Sequence, residues 1–170
     1  QDQVVLVEGQ MDVVACHQAG MKNVVASSGT ALTLEQIKLL KRYSNNIAMA
    51  FDGDSAGIAA AKRGINIALS EGLNVKAIRI PEGKGKDADE CLQKNPAIWF
   101  ESVKNASDVL HWFFEMTFSN KNTSDPKEKQ KIANELLPII GLIPFAVERD
   151  YWLKELAGRL GTDTSVLRDD

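Results

Sequence analysis

Cysteine and histidine are scarce, with two of each in 170 residues. Cys16 and Cys91 stand far apart and in no CxxC pair, which argues against a zinc site or a disulfide framework and fits a reducing cytoplasm. His17 and His111 are isolated and read as partly exposed helical histidines rather than as ligands or bases. No apolar run is long enough to span a bilayer, and the start at Gln1 has neither the basic segment nor the apolar core of a signal peptide, so no membrane partner is expected. A chain opening with Gln1 at the edge of a strand reads as an excised fragment. An overall basic excess is lacking too. The net charge is -3, so the chain cannot hold nucleic acid by bulk charge alone.

What is present is an ordinary globular composition, 44% hydrophobic, sufficient for one well-buried domain and a small appendage. Through residue 80, strand-like runs at 4–7, 23–26, 46–51 and 74–80 alternate with helical patterns at 11–19, 34–43 and 55–71. Gly20 and Gly72 stand as helix stops, and Thr33 with Gln36 forms a capping box. Three consecutive βα units predict an α/β fold, a mostly parallel sheet flanked by helices, with ligands bound outside the carboxyl ends of the strands. After about residue 95 the pattern is helical only. Residues 105–160 read as three helices broken near Asn122 and at Pro144, whose aromatics suit a helical core better than base stacking. The division expected is 1–95 for the α/β domain and 96–170 for a small all-helical subdomain.

Carboxylates collect at the predicted ligand edge. Val4-Val5-Leu6-Val7 runs into Glu8-Gly9, and Ile47-Ala48-Met49-Ala50-Phe51 runs into Asp52-Gly53-Asp54. Acids at strand ends without apolar partners rarely serve folding. Brought together, Glu8, Asp52 and Asp54 would repel one another unless a hard divalent cation, magnesium above all, neutralised them. Asp87 and Asp89 follow the fourth strand; alone, they read better as a helix cap with an acidic first turn than as ligands. Asp12, in the first turn after Glu8-Gly9, suits a helix dipole whether or not it supports a metal. Lys84 and Lys86 could meet phosphate, but the loop is no P-loop, since GxxxxGK[ST] is absent. Residues 1–104 carry 12 acidic and 12 basic side chains, and setting aside Glu8, Asp12, Asp52, Asp54, Asp87 and Asp89 leaves 6 against 12. An acidic cluster in a basic surround suits a metal site serving a polyanion, or equally an ordinary mixed surface.

Four segments carry a family resemblance: Val-Glu-Gly-Gln-Met-Asp-Val-Val (7–14), Ser-Gly-Thr-Ala-Leu-Thr (28–33), Phe-Asp-Gly-Asp-Ser-Ala-Gly (51–57) and Gly-Lys-Asp-Ala-Asp-Glu (85–90). Together they resemble the Toprim domain and, within it, the bacterial replicative primases of the DnaG type. The helical tail, with Glu148-Arg149-Asp150-Tyr151, is similar to the end of the primase core. Two departures stand out, Gln10 where the family commonly has tyrosine and Ser28 where it commonly has leucine.

The resemblance implies a nucleotidyltransferase that synthesises short RNA primers on single-stranded DNA by two-metal-ion chemistry. Glu8, Asp52 and Asp54 would be catalytic and hold magnesium, for which manganese can substitute, with Asp87 and Asp89 completing a second site and Asp12 in support. Gly9, Gly29, Thr30 and Lys86 would contact nucleotide or phosphate. Implied partners are the single-stranded template, nucleoside triphosphates and a replicative helicase, the last through a domain absent from this chain; a monomer in the bacterial cytoplasm is expected, and no zinc in this fragment. The fragment alone is expected to be inactive. Rival readings are a nuclease or topoisomerase on the same acids, a DxD phosphohydrolase, and a non-catalytic magnesium-binding docking module. The phosphohydrolase expects its DxD after the first strand, whereas here it follows the third. A topoisomerase needs a nucleophilic tyrosine, for which Tyr43 and Tyr151 have no supporting context.

Overall fold

The computed structural model describes residues 2–28, 32–50, 55–119 and 121–169, with side chains throughout except at 55–61 and 168–169. Packing divides the chain into Gln1–Val109 and Leu110–Asp170.

Every residue of β1 (Val4–Val7) is buried, as a strand covered on both faces requires. The first unit continues through α1 (Gln10–Gln18), β2 (Val24–Ala26), α2 (Leu34–Lys41), β3 (Asn46–Ala50), α3 (Ser55–Ser70), β4 (Asn74–Ile78), α4 (Ala88–Lys94), α5 (Pro96–Lys104) and β5 (Ser107–Asp108). The sheet order is β2-β1-β3-β4-β5. β1 to β4 run parallel, and β5 lies antiparallel on β4 with Lys76 opposite Asp108. The expected mostly parallel sheet between helices, followed by helices alone, is what the structure contains. β5 and α5 lie beyond residue 95 and belong to this first unit. β5 is a difference from the all-helical expectation, and a two-residue strand is too short to show alternation.

Alternating side chains divide the core by sheet face. Val5, Val7, Ala48 and Ile78 pack with Cys16 of α1, Cys91 and Leu92 of α4 and the fully buried Trp99 of α5. Val4, Leu6, Ile47 and Met49 have the opposite parity and are buried as well. Gly20 and Gly72 take φ of 95° and 74°, the left-handed conformation in which they end α1 and α3. The capping box of α2 is present, with the Gln36 amide donating to Thr33 Oγ1 and the Thr33 amide to Gln36 Oε1.

The strand order has a functional consequence. From β1 the chain steps to β2 on one side and then crosses to β3 on the other, so the connections diverge between β1 and β3. In an open parallel sheet, a crevice opens outside the carboxyl ends of the strands at such a switch point. Glu8 leaves β1 there, and the register Leu6↔Met49 sets the exit of β3 beside it.

The second unit holds α6 (Val109–Phe118) from Leu110 on, α7 (Pro126–Gly141), α8 (Ala146–Leu160) and α9 (Thr164–Asp169). α7 begins on Pro126 with Asp125 as its cap, as proline's fixed φ and missing N–H favour. Phe113, Phe114, Ile132, Leu136, Ile140, Trp152 and Leu156 are buried, so these aromatics are core side chains. The Arg159 guanidinium lies 5.5 Å from the ring centroids of both Phe114 and Phe118, and its Nε donates to Glu155. Among the described residues, no helix is long and apolar enough to cross a membrane.

Candidate active site at the carboxyl edge of the sheet

Glu8 is exposed where β1 ends. Among the described residues its carboxylate has no hydrogen-bond or ion-pair partner. Its backbone is held, since the Ser28 amide donates to the Glu8 carbonyl at 3.0 Å and the Ser27 amide to that of Val7 at 3.1 Å. The two strand exits thus run side by side beyond the sheet, carrying the start of the Ser-Gly-Thr segment to Glu8. Ser28 has φ of 59°, an uncommon conformation for a residue with a side chain.

Asp12 is only 6% exposed, although it lies in the first turn of α1. Its Oδ2 accepts from the Gly9 amide and its Oδ1 from the Asp89 amide, each at 2.9 Å. The first contact closes the β1–α1 turn. The second reaches α4 across 77 positions of sequence and draws the third acidic segment to the β1 side.

That third segment is locked locally. Asp87 caps α4, its Oδ1 accepting from the Glu90 amide at 2.8 Å. Glu90 Oε2 in turn accepts from the Lys86 amide at 3.0 Å, and Asp89 Oδ1 from Gln93 Nε2. Asp87 and Asp89 keep partly exposed carboxylates, and Lys86 is exposed. The cap reading of Asp87 is therefore correct as far as it goes, and it leaves Asp87 room for a further role. Gly85 has φ of 137°, and a Cβ there would lie 2.6 Å from the Cys91 amide nitrogen, so only glycine lets this loop rest on α4. The sequence motifs do not by themselves assign these roles to Glu90 and Gly85. The signal for Glu90 was its spacing from Asp87, that of a cap and its third helical residue; the close approach of Gly85 had none.

The structure thus brings Glu8, Gly9, Asp12, Lys86, Asp87 and Asp89 to one edge. Asp52, Asp54, Gly29 and Thr30 lie outside the described residues. No three acid, cysteine or histidine side chains gather closely enough to hold a metal among the described residues, a set that lacks Asp52 and Asp54. The donor chemistry fits a hard cation: every candidate at this edge is a carboxylate, and both thiols are buried in the core. Burial pushes the Cys16 thiol up to about 12, and the Asp12 and Asp89 charges push it the same way. The Trp99 indole N–H acts in the opposite direction without making a hydrogen bond of ordinary geometry. Burial raises Cys91 as well. Two open cavities of about 440 and 470 Å³ involve Asp2, Gln3, Lys22 and Asn23, at the opposite edge of the sheet.

A family model described as Toprim-like matches residues 5–92, and a second, described as the DnaB-helicase binding domain of primase, matches 110–165. A DNA primase of Clostridium acetobutylicum is 37% identical over 169 residues, 99% of this chain and 28% of the relative. The Escherichia coli primase catalytic core superposes with a TM-score of 0.84 at 30% identity, covering 96% of this chain and 53% of that one. A DnaG primase catalytic domain bound to single-stranded DNA gives 0.84 at 32% identity, covering 97% and 53%. The chain thus spans just over a quarter of that curated relative and about half of each solved core. The second match bears on the expected helicase partner, since a model of that description covers residues within this chain. The same residues fall within the stretch that superposes on the catalytic cores. With one model matching more than half its length, over the sheet and edge that carry Glu8, Asp12, Asp87 and Asp89, the chain belongs to the Toprim-like family, with bacterial DNA primases among its relatives.

Proposed function

We propose that this chain is the metal-binding catalytic part of a DNA primase, a nucleotidyltransferase that joins nucleoside triphosphates into short RNA primers on a single-stranded DNA template. The observation that carries the reading is similarity over nearly the whole chain, in sequence and in fold, to DNA primases. The exposed carboxylate of Glu8 at the switch point between β1 and β3, without a partner among the described residues, supports it independently.

Glu8, Asp52 and Asp54 would hold magnesium or manganese, and Asp87 and Asp89 would complete a second site. When bound, such ions neutralise the triphosphate, lower the pKa of a primer hydroxyl and stabilise the leaving pyrophosphate. The chain's own contribution is placement. The strand exits fix Glu8, and the cap of α4 fixes Asp87 while leaving part of its carboxylate accessible. Gly9, Gly29, Thr30 and Lys86 would meet the nucleotide, Lys86 as an exposed cation on a loop held by Glu90. The functional division is 1–95 for metal and nucleotide chemistry and 96–170 for the helical part, α5 and β5 adding packing to the sheet but no candidate ligand. A replicative helicase would contact residues 110–165.

Primer synthesis by the full-length protein on single-stranded DNA tests the reading. Ribonucleotide incorporation should require the divalent ion and vanish in Asp52→Ala and Glu8→Gln. An Asp52→Ala protein that still made primers at the normal rate would overturn the assignment. Helicase binding should be lost when 110–170 is removed, and its retention would place that contact elsewhere.

A further inference from the structure

We propose that Asp12 is a positioning residue rather than a metal ligand: one buried carboxylate ties the β1–α1 turn to the first turn of α4, so that Glu8 is set relative to Asp87 and Asp89. The inference rests on the metal-dependent reading above, since it assigns the support of that site to a group that does not touch the ion.

Both oxygens of Asp12 are engaged, Oδ2 by the Gly9 amide and Oδ1 by the Asp89 amide, each at 2.9 Å, and the residue is 6% exposed. A carboxylate has further lone pairs, but a side chain this buried and turned toward two amides offers little to an ion at the open edge. The two donors have something in common. Each belongs to the amino-terminal end of a helix, where backbone N–H groups lack intrahelical partners, so a charged, acceptor-only group is the partner they require. Glu8 directly precedes Gly9, and Asp87 lies two residues before Asp89. A single side chain therefore sets the spacing between two acidic segments far apart in sequence.

The close fit around Gly9 strengthens the case. A Cβ at this position would come within 3.1 Å of Asp12 Oδ2, tighter than ordinary contact. Gly9 thereby allows the carboxylate to close on its own turn while its other oxygen reaches α4. Such outer supports typically shift metal affinity or activity by about 10- to 100-fold without changing the number of ligands.

The test uses two readouts on the 170-residue chain and one on the full-length protein. In Asp12→Asn the amide can serve only one of the two donors as acceptor. Without metal, the Gly9 or Asp89 amide should then exchange hydrogen at least about tenfold faster, while the amides of β1 and β3 keep their protection. Manganese titration by electron paramagnetic resonance should show the same number of bound ions with weaker affinity. Gly9→Ala is the second variant. It leaves the Asp12 carboxylate intact yet crowds it, so the Asp89 amide, whose own partners are unchanged, should exchange faster. Unchanged protection at Gly9 and Asp89 in Asp12→Asn would overturn the proposal, as would loss of one whole manganese equivalent. Loss of protection across the entire sheet in both variants would overturn it too. The full-length wild-type protein separates the two readings: absence of primer synthesis would sink the function while leaving the brace as measured.

Discussion

At Ser28 the backbone takes φ of 59° while its amide holds the Glu8 carbonyl, so a residue with a side chain occupies a conformation suited to glycine beside the candidate site. For an L-residue that conformation costs roughly 1–2 kcal/mol. Part of the gain from glycine is offset by added unfolded-state freedom. Ser28→Gly should therefore stabilise by roughly 0.5–1 kcal/mol, read as an increase in denaturation midpoint at unchanged slope. Cys16 makes a second residue-scale prediction. Its folded pKa is about 12 against 9.0 for the free thiol, so the folded state keeps a proton that the unfolded state releases. The stabilisation is complete below about pH 9 and is lost as pH rises toward 12, by roughly 1.4 kcal/mol per unit in that window. At pH 9 the folded thiol should resist alkylation, while the unfolded chain reacts readily. Asp12 marks what the sequence could and could not reveal at this scale. Its place in the first helical turn was legible, whereas its bond to Asp89 depends on how two distant loops pack and leaves no local pattern.

The elements were legible where periodicity or capping chemistry is local. β1, β3 and the capping box on α2 appear where their patterns put them. Thr33→Ala removes one side of the Gln36 reciprocal pair and should cost about 1 kcal/mol, measured by chemical denaturation. β5 was invisible because Ser107 and Asp108 offer neither length nor alternation, and their strand character comes from pairing with Lys76 and Ala77. In sequence, the loop before α4 shows only exposed lysines and a cap. What organises it is Gly85, where a side chain would collide with the backbone of Cys91. Gly85→Ala combines a positive φ with a contact that a flexible side chain cannot relieve, and should cost about 2 kcal/mol or more. Because Asp87 and Lys86 lie on that loop, the same change should weaken manganese binding in the folded chain. Wild-type affinity in a destabilised Gly85→Ala protein would separate the loop from the metal site.

For the molecule as a whole, alternating strands and helices made a parallel sheet legible, but not its order. Strand order follows from which side each crossover takes, a choice that leaves no mark in any single segment. The observed order supplies what the segments could not, a switch point at the very strand that ends in Glu8. The surrounding charge then limits what this edge can do alone. With a net charge of -3 and acids gathered at the edge, repulsion opposes the approach of a DNA backbone, and the 12 basic side chains of residues 1–104 are matched by 12 acidic ones. Binding of the 170-residue chain to single-stranded DNA should therefore be weak and fall steeply between about 50 and 200 mM salt, since affinity here comes from the few phosphates its lysines can neutralise. Divalent ions should strengthen it by reducing the charge at the edge, and Glu8→Gln should remove most of that increment. Fluorescence anisotropy across a salt series, with and without manganese, measures both effects. Tight binding that neither salt nor metal changed would mean that the chain grips template through a surface other than this edge.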